Sequence, residues 1–198
     1  MIILIDNGHG IDTLGKCSPD KSYYEWRWCR EMAAMIQAEL QRRGYDARLL
    51  VPEQRDIDLK ERVRRANQVC VEHGSGNVIL LSIHSNASGN GEWKSARGWS
   101  AYTTRGLTNS DRLATSLYNA AERYLYGQRI RADYSDGDPD WEADFYIIRR
   151  TVCPAVLTEN FFHDNRDDLA YIQSNEGKKS IMLTHVEGVY AYIKDLYR

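Results

Sequence analysis

The sequence predicts an α/β domain in which a twisted, mostly parallel sheet of about six strands carries helices on both faces. Short apolar, β-branched runs alternate along the chain with stretches of helical periodicity. Three of those stretches are followed by glycine, at Gly44, Gly74 and Gly127, the residue that most readily adopts the left-handed conformation closing a helix. A length of 198 residues allows one full hydrophobic core and lies near the upper end of what one core supports. Residues 1–198 therefore read as a single domain.

Strands are expected at about 2 to 6, 46 to 51, 77 to 84, 98 to 103, 144 to 149 and 154 to 159. Helices are expected at roughly 25 to 43, 56 to 73, 109 to 126 and 175 to 197. The remaining segments, 7 to 24, 85 to 97, 127 to 142 and 160 to 168, are polar and rich in Gly, Asn, Asp and aromatic residues. Loops of that length inside a compact domain usually carry function. No repeat, low-complexity tract or linker marks off a second unit.

Composition excludes several classes. With 26 basic and 28 acidic residues interspersed, the net charge of -2 provides no electrostatic footprint for nucleic acid. The densest basic stretch, Lys60 to Arg65, contains Glu61 and has helical spacing, so it reads as a solvated helix face. The four cysteines, Cys17, Cys29, Cys70 and Cys153, form no C-x-x-C pair and read as reduced, mostly buried residues. No apolar run reaches the ~20 residues of a transmembrane helix, and Met1 leads directly into Ile2-Ile3-Leu4-Ile5 without a signal-peptide pattern. No feature assigns an oligomeric state.

Chemistry-bearing residues gather at one predicted edge. His9 follows the run ending at Asp6, His84 closes the run Val78 to Ile83, and Glu159 closes the run Pro154 to Thr158. In open α/β sheets the carboxyl ends of the strands are where ligands bind. Glu25 joins them because it lies in register with Cys29, Met32 and Ile36, the core-facing stripe of its helix. A carboxylate on that stripe requires a base or a cation to offset its desolvation. Glu31 points away from the stripe and is expected to pair with Arg27, and Glu39 lies roughly 21 Å further along the axis.

Two histidines and a glutamate suit catalytic Zn²⁺, with a fourth position left for water. Glu159 is then placed as the carboxylate that moves the proton. The bland reading makes Asp6-Asn7-Gly8 a turn and each histidine a loop or core residue. His185 flanks the stripe Met182, Val186, Val189 and Ile193 and reads as a packed helix residue, while His73 reads as a cation near a helix C-terminus. His163, four residues beyond Glu159, stands open between a substrate contact and an ordinary loop role. Tyr23, Tyr24, Trp26, Trp28, Trp93 and Trp99 offer walls for a sugar or peptide, while Trp28 and Trp99 equally suit the core.

The same residues sit in ordered motifs. Ile5-Asp6-Asn7-Gly8-His9-Gly10 is similar to a D-x-G-H-G opening, and Glu25 through Gly44-Tyr45 to a helical block that starts on glutamate and closes on G-Y. Arg55-Asp56, Leu59, Arg62 and Ala66-Asn67 follow, then Leu81-Ser82-Ile83-His84-Ser85-Asn86-Ala87, then Pro154-Ala155-Val156-Leu157-Thr158-Glu159. Together they resemble, nearly end to end, the zinc-dependent N-acetylmuramoyl-L-alanine amidases of the amidase 3 type. The resemblance implies one Zn²⁺ held by His9, Glu25 and His84, with Glu159 as catalytic acid/base. Residues 1–198 are then expected to be a single catalytic amidase domain, with no separate wall-binding domain visible in the sequence. The implied reaction is hydrolysis of the amide between N-acetylmuramic acid and L-alanine in peptidoglycan.

Asn7, Ser85 and Asn160 depart from common family choices without removing a ligand or the base. The loop Gly15 to Pro19 and the segment Asn160 to Asn165 look closer to phage-like or Bacteroidetes-type members. Another zinc hydrolase on a related fold, a carboxypeptidase or deacetylase, is the alternative, followed by a non-enzymatic wall-binding domain. A wall substrate and a chain without a signal peptide together suggest cytoplasmic synthesis with release by another route, as for a phage lysin, or a leader already removed.

Overall fold

The computed structural model describes residues 1–197. Six strands, β1 (Ile2–Asn7), β2 (Asp46–Leu49), β3 (Val78–Asn86), β4 (Ser100–Thr103), β5 (Trp141–Glu142) and β6 (Ala155–Phe162), form one sheet in the order β2-β1-β3-β6-β4-β5. β1 pairs in parallel with β2 and β3, and β3 with β6. β4 runs antiparallel to β6, with β5 parallel to β4. The helices are α1 (Glu25–Arg42), α2 (Leu59–His73), α3 (Asn109–Tyr124), α4 (Tyr146–Arg150), α5 (Arg166–Gln173) and α6 (Asn175–Leu196).

Strand alternation distributes side chains between two cores. Ile3 and Ile5 of β1 pack with Met32 and Ile36 of α1, Leu117 of α3, Ile172 of α5 and Val189 of α6. Ile2 and Leu4 pack on the other face with Val63 and Ala66 of α2 and Ile147 and Ile148 of α4. Every position of β1 is buried, which is why its sequence is a continuous apolar run rather than an alternating one. Helix termini are written in the sequence. Asp58 accepts from Lys60 N–H at the start of α2, Thr108 and Asp111 form a capping box on α3, and Asn165 caps α5. After α1, Gly44 takes φ +87° and donates to the Gln41 carbonyl while Tyr45 donates to that of Leu40, closing the helix as expected.

Two expectations are corrected. The run expected as a strand at 144 to 149 is instead the start of α4, and the edge strand β5 lies upstream at Trp141–Glu142. A short apolar run does not distinguish a strand from a buried helical turn, and here Ile147 and Ile148 face the α2 side while Arg149 and Arg150 face solvent. The segment 160 to 168 is not a loop throughout: β6 continues to Phe162, and Arg166 begins α5.

Charged residues correct two more. Arg62, expected on a solvated face, is only 2 % exposed. Its guanidinium donates at 2.8 Å to Asp6 Oδ1, to the Asn7 carbonyl and to Asp56 Oδ1. Glu31 pairs with Lys178 of α6 rather than with Arg27. Arg64 and Arg65 pair with Glu61 on the outer face, as a solvated helix face requires.

His185 is fully buried, as a packed residue should be. Its Nδ1 lies 2.8 Å from the Ile181 carbonyl, which only accepts, so Nδ1 carries the proton. Nε2 then accepts from the Thr158 hydroxyl at 2.9 Å.

Two measurements follow from this packing. Arg62→Ala leaves the buried Asp6 carboxylate with only the Ser82 hydroxyl at 2.6 Å, so unfolding stability is expected to fall by about 3–5 kcal/mol. The loss should appear as a lower urea midpoint at unchanged slope. Burial pushes the His185 imidazole down to about 4 from its ordinary 6.5, so the folded state binds fewer protons than the unfolded chain. This contribution is complete above the unfolded value and is lost as pH falls toward the folded one, by up to about 3 kcal/mol. Urea titrations from pH 7 down to pH 4 should show the decline, and His185→Asn should lack that part of it.

Candidate metal centre

The segment after β1 is threaded through a space with no room for side chains. A Cβ on Gly8 would collide with the His84 imidazole, and one on Gly10 with the backbone of Arg55 and Asp56. Between them His9 takes φ +61°, a left-handed conformation that costs a non-glycine residue on the order of 1–3 kcal/mol. Two guanidinium groups hold the turn in place. Arg62 donates to the Asn7 carbonyl, and Arg30 of α1 donates to the His9 carbonyl at 2.8 Å.

His84 and Glu159 are register partners on the adjacent parallel strands β3 and β6. Being opposite each other, they emerge on the same face, the one covered by α2 and α4. β6 then departs from regular pairing, since Asn86 pairs with Phe162 and leaves β6 one extra residue. Phe161 takes φ +67° there. Asn160 braces this irregularity, its amide donating to the His84 carbonyl at 2.9 Å while its oxygen accepts from the Trp99 indole at 2.9 Å.

Glu25 is the first residue of α1, and its N–H donates to the Lys16 carbonyl at 2.9 Å. Its carboxylate is 2 % exposed. Oε2 lies 3.3 Å from His9 Nε2, Oε1 lies 3.0 Å from His84 Nδ1, and Oε1 also accepts from the Ser85 N–H at 3.1 Å. Burial pushes the Glu25 carboxyl up, but the His84 and His9 rings more than offset this and hold it well below the usual carboxylate range. Burial likewise opposes a charged His84, and the neighbouring Glu25 carboxylate outweighs it and raises that imidazole.

The ligand atoms of His9, Glu25 and His84 all lie within 4.8 Å of one another, a cluster geometrically suited to a single metal ion. Donors at about 2.0–2.1 Å from a tetrahedral Zn²⁺ stand roughly 3.3 Å apart, close to the separations between Glu25 and the two imidazoles. Two nitrogens and a carboxylate oxygen are also the donor chemistry zinc takes. Glu159 adds a second fit. Its Oε2 is buried and has no hydrogen-bond partner among the described residues, and burial, opposed by His84 and reinforced by Glu25, pushes its carboxyl up to about 8.

These groups open on a cleft of about 280 Å³ whose lining includes His9, Glu25, His84, Glu159 and His163. The structure thus brings together all four residues singled out from the strand ends and the helix stripe, and adds His163. Much of the remaining wall, Lys16, Leu59, Phe145, Tyr146 and Ile147, was not anticipated. The apolar run at 145 to 148 was the available signal, read as a strand rather than as a wall. Of the aromatic candidates, Tyr23, Trp28 and Trp99 are core, and none of the six lines the cleft. Trp26 lies under Arg27 and Arg30, and Trp93 under Arg166.

A second carboxylate group, Asp111, Asp138 and Asp140, shares no lining residue with this cleft. The Thr103 hydroxyl lies within hydrogen-bond distance of Asp111 and Asp140, and burial pushes Asp140 up to about 8.

Comparison with known proteins agrees with this geometry. The family model for N-acetylmuramoyl-L-alanine amidase (Amidase_3) matches residues 3–191. The chain is 27% identical over 137 residues to the endolysin of Bacillus phage SPP1, covering 67% of this chain and 44% of the endolysin. It is 27% identical over 191 residues to the N-acetylmuramoyl-L-alanine amidase CwlM of Bacillus licheniformis, covering 94% of this chain and 66% of CwlM. The chain therefore spans between about half and two thirds of the curated relatives it matches. The catalytic domain of CwlV, an N-acetylmuramoyl-L-alanine amidase from Bacillus (Paenibacillus) polymyxa, superposes with a TM-score of 0.82 at 23% identity, covering 98% of each chain, and so shares the fold.

Metal content tests the centre directly. Protein stripped with a chelator is expected to regain one equivalent of zinc. Its stability should rise by about 4 kcal/mol when free zinc is a thousandfold above the dissociation constant. His84→Ala should lose both effects, as measured by elemental analysis and thermal unfolding.

Proposed function

The chain belongs to the N-acetylmuramoyl-L-alanine amidase family Amidase_3, and from that premise we propose that it is a zinc hydrolase cleaving the amide between N-acetylmuramic acid and L-alanine of peptidoglycan. The observation that supports this most is the pairing of a three-donor cluster with a buried, unpartnered carboxylate oxygen across one strand register. His9, Glu25 and His84 are the proposed ligands and Glu159 the proposed acid/base. Zinc held by these three residues would supply a Lewis acid for the amide carbonyl and lower the pKa of attacking water.

Each side chain has a separable task. The Glu25 carboxylate offsets the cation's charge, and its position at the helix start is fixed by the Lys16 and Ser85 contacts. Glu159 takes the proton of the attacking water and returns it to the departing alanine nitrogen. A carboxyl group can both take up a proton and give it back, which are the two halves of that transfer. Among the described residues the buried Oε2 of Glu159 has no competing bond. Phe145 and Tyr146 add aromatic surface to the cleft wall, suited to the faces of a sugar or peptide.

Action on the cell wall follows from the same reading. A phage-lysin-like route fits the similarity to the SPP1 endolysin. No helix among the described residues is long and apolar enough to cross a membrane.

Glu159→Gln is expected to keep zinc and fold while turnover falls by about 10²–10⁴. Mass spectrometry of digested peptidoglycan should show intact stem peptides beginning with alanine and glycans with free lactyl carboxylates. A stem peptide shortened at its far end, or a deacetylated sugar, would assign the site to another bond. Near-normal turnover in the variant would remove Glu159 from the scheme.

A further inference from the structure

One imidazole in the cleft has no task in the scheme above. His163 follows β6, is 2 % exposed, and lines the cleft beside Glu25 and Glu159. Its N–H on the backbone donates to the Asn86 carbonyl at 2.9 Å, which ties it to the end of β3. Its Nδ1 lies 3.0 Å from Ser85 Oγ. The Tyr23 hydroxyl donates to the same Oγ at 2.8 Å, and the Tyr23 ring stacks on the imidazole at 5.6 Å with 26° between planes. Tyr23 and Ser85 are buried as well.

Counting protons settles the direction of this chain of bonds. Each hydroxyl has one proton to give. Tyr23 gives its proton to Ser85, so the proton of Ser85 needs an acceptor, and Nδ1 stands at hydrogen-bond distance. Nδ1 therefore accepts, and the neutral ring carries its own proton on Nε2. Burial pushes the His163 imidazole below its ordinary range, which favours that neutral form. Among the described residues Nε2 has no hydrogen-bond partner, and it is not among the buried unpartnered atoms, so it is the part of the ring that meets the cleft.

Ser85 also places this donor relative to the metal cluster. Its N–H holds Glu25 Oε1 at 3.1 Å while its hydroxyl holds the His163 ring. One residue thus spans from a proposed ligand to the free N–H.

We propose that His163 is a substrate-binding residue whose Nε2–H donates to a carbonyl oxygen of the bound muramoyl-peptide beside the metal cluster, with Ser85 and Tyr23 as positioning residues. The inference rests on the amidase reading and extends it. A neutral donor suits this place, because it bonds an amide oxygen without setting a second positive charge against the dication. The bond strengthens as that oxygen gains negative charge on the way to the tetrahedral state, so its loss falls on kcat more than on KM.

The test compares zinc-loaded wild type, His163→Phe and Ser85→Ala on a defined muropeptide, with zinc content and thermal unfolding measured for each. His163→Phe is expected to lower kcat/KM by about 10- to 100-fold, mostly in kcat, with zinc retained. Should the aromatic replacement fail to fold, His163→Leu takes its place. Long-range ¹H–¹⁵N spectra of the wild type should show His163 as the neutral Nε2–H tautomer, and Ser85→Ala should mix the two tautomers. A folded, zinc-loaded His163 variant within twofold of wild type overturns the inference while the amidase reading stands. So does an Nδ1–H tautomer or an imidazolium at neutral pH. A wild type that leaves the lactyl–alanine amide intact overturns the amidase reading, and with it the substrate assigned to this donor.

Discussion

A carboxylate shut away from water at the first residue of α1 sets the terms for this fold's active edge. Among the described residues Glu25 has neither a lysine nor an arginine within ion-pair distance, only His9 and His84. Taking such a group out of water costs several kcal/mol unless positive charge and hydrogen bonds replace the lost hydration. Two partly exposed imidazoles and one backbone N–H supply part of that replacement, and a divalent ion held by the cluster would complete it. The three elements that meet at Glu25 have little else in common in sequence, so the carboxylate is the point that obliges them to converge.

Convergence of that kind needs a rigid support, and the support is also ionic. Asp6 and Arg62 form a buried pair on the α2 side of the sheet, with Ser82 closing the remaining carboxylate oxygen. The same guanidinium reaches the Asn7 carbonyl. The pair thus couples the end of β1 to α2 and holds the backbone that carries His9 in a conformation it would not choose alone. A buried ion pair is a poor source of net stability compared with apolar packing of the same volume. Its value here lies in geometry, because planar guanidinium groups hold several carbonyls at fixed angles.

The fold class, most element positions and the four clustered residues were legible because each breaks a local pattern. His84 and Glu159 interrupt apolar runs, and Glu25 sits on an otherwise apolar stripe of α1. Arg62 was not legible, since its helical neighbours pair outward with Glu61 while its own partner, Asp6, is 56 residues away. Helix α4 was missed because four apolar residues in a row fit a strand as well as one buried turn. The hydrogen-bond chain through Ser85 left even less trace, because Tyr23, Ser85 and His163 are distant in sequence and no periodicity links them. Long-range pairs of polar groups are where a one-dimensional pattern has least to say.

The irregularity at Asn160 and Phe161 has one more consequence. Because side chains alternate across a strand, an extra residue exchanges the two faces for everything that follows. Glu159 opens on the cleft, yet Phe161, two places on, is buried in the opposite core against Tyr171. A regular strand would have sent both the same way. The spacing of this stretch is therefore a constraint separate from its composition: regular pairing carried on from Glu159 at the present length would turn the phenyl ring into the cleft, shift the downstream imidazole by one place, and leave a void beneath α5, even with every proposed metal ligand untouched.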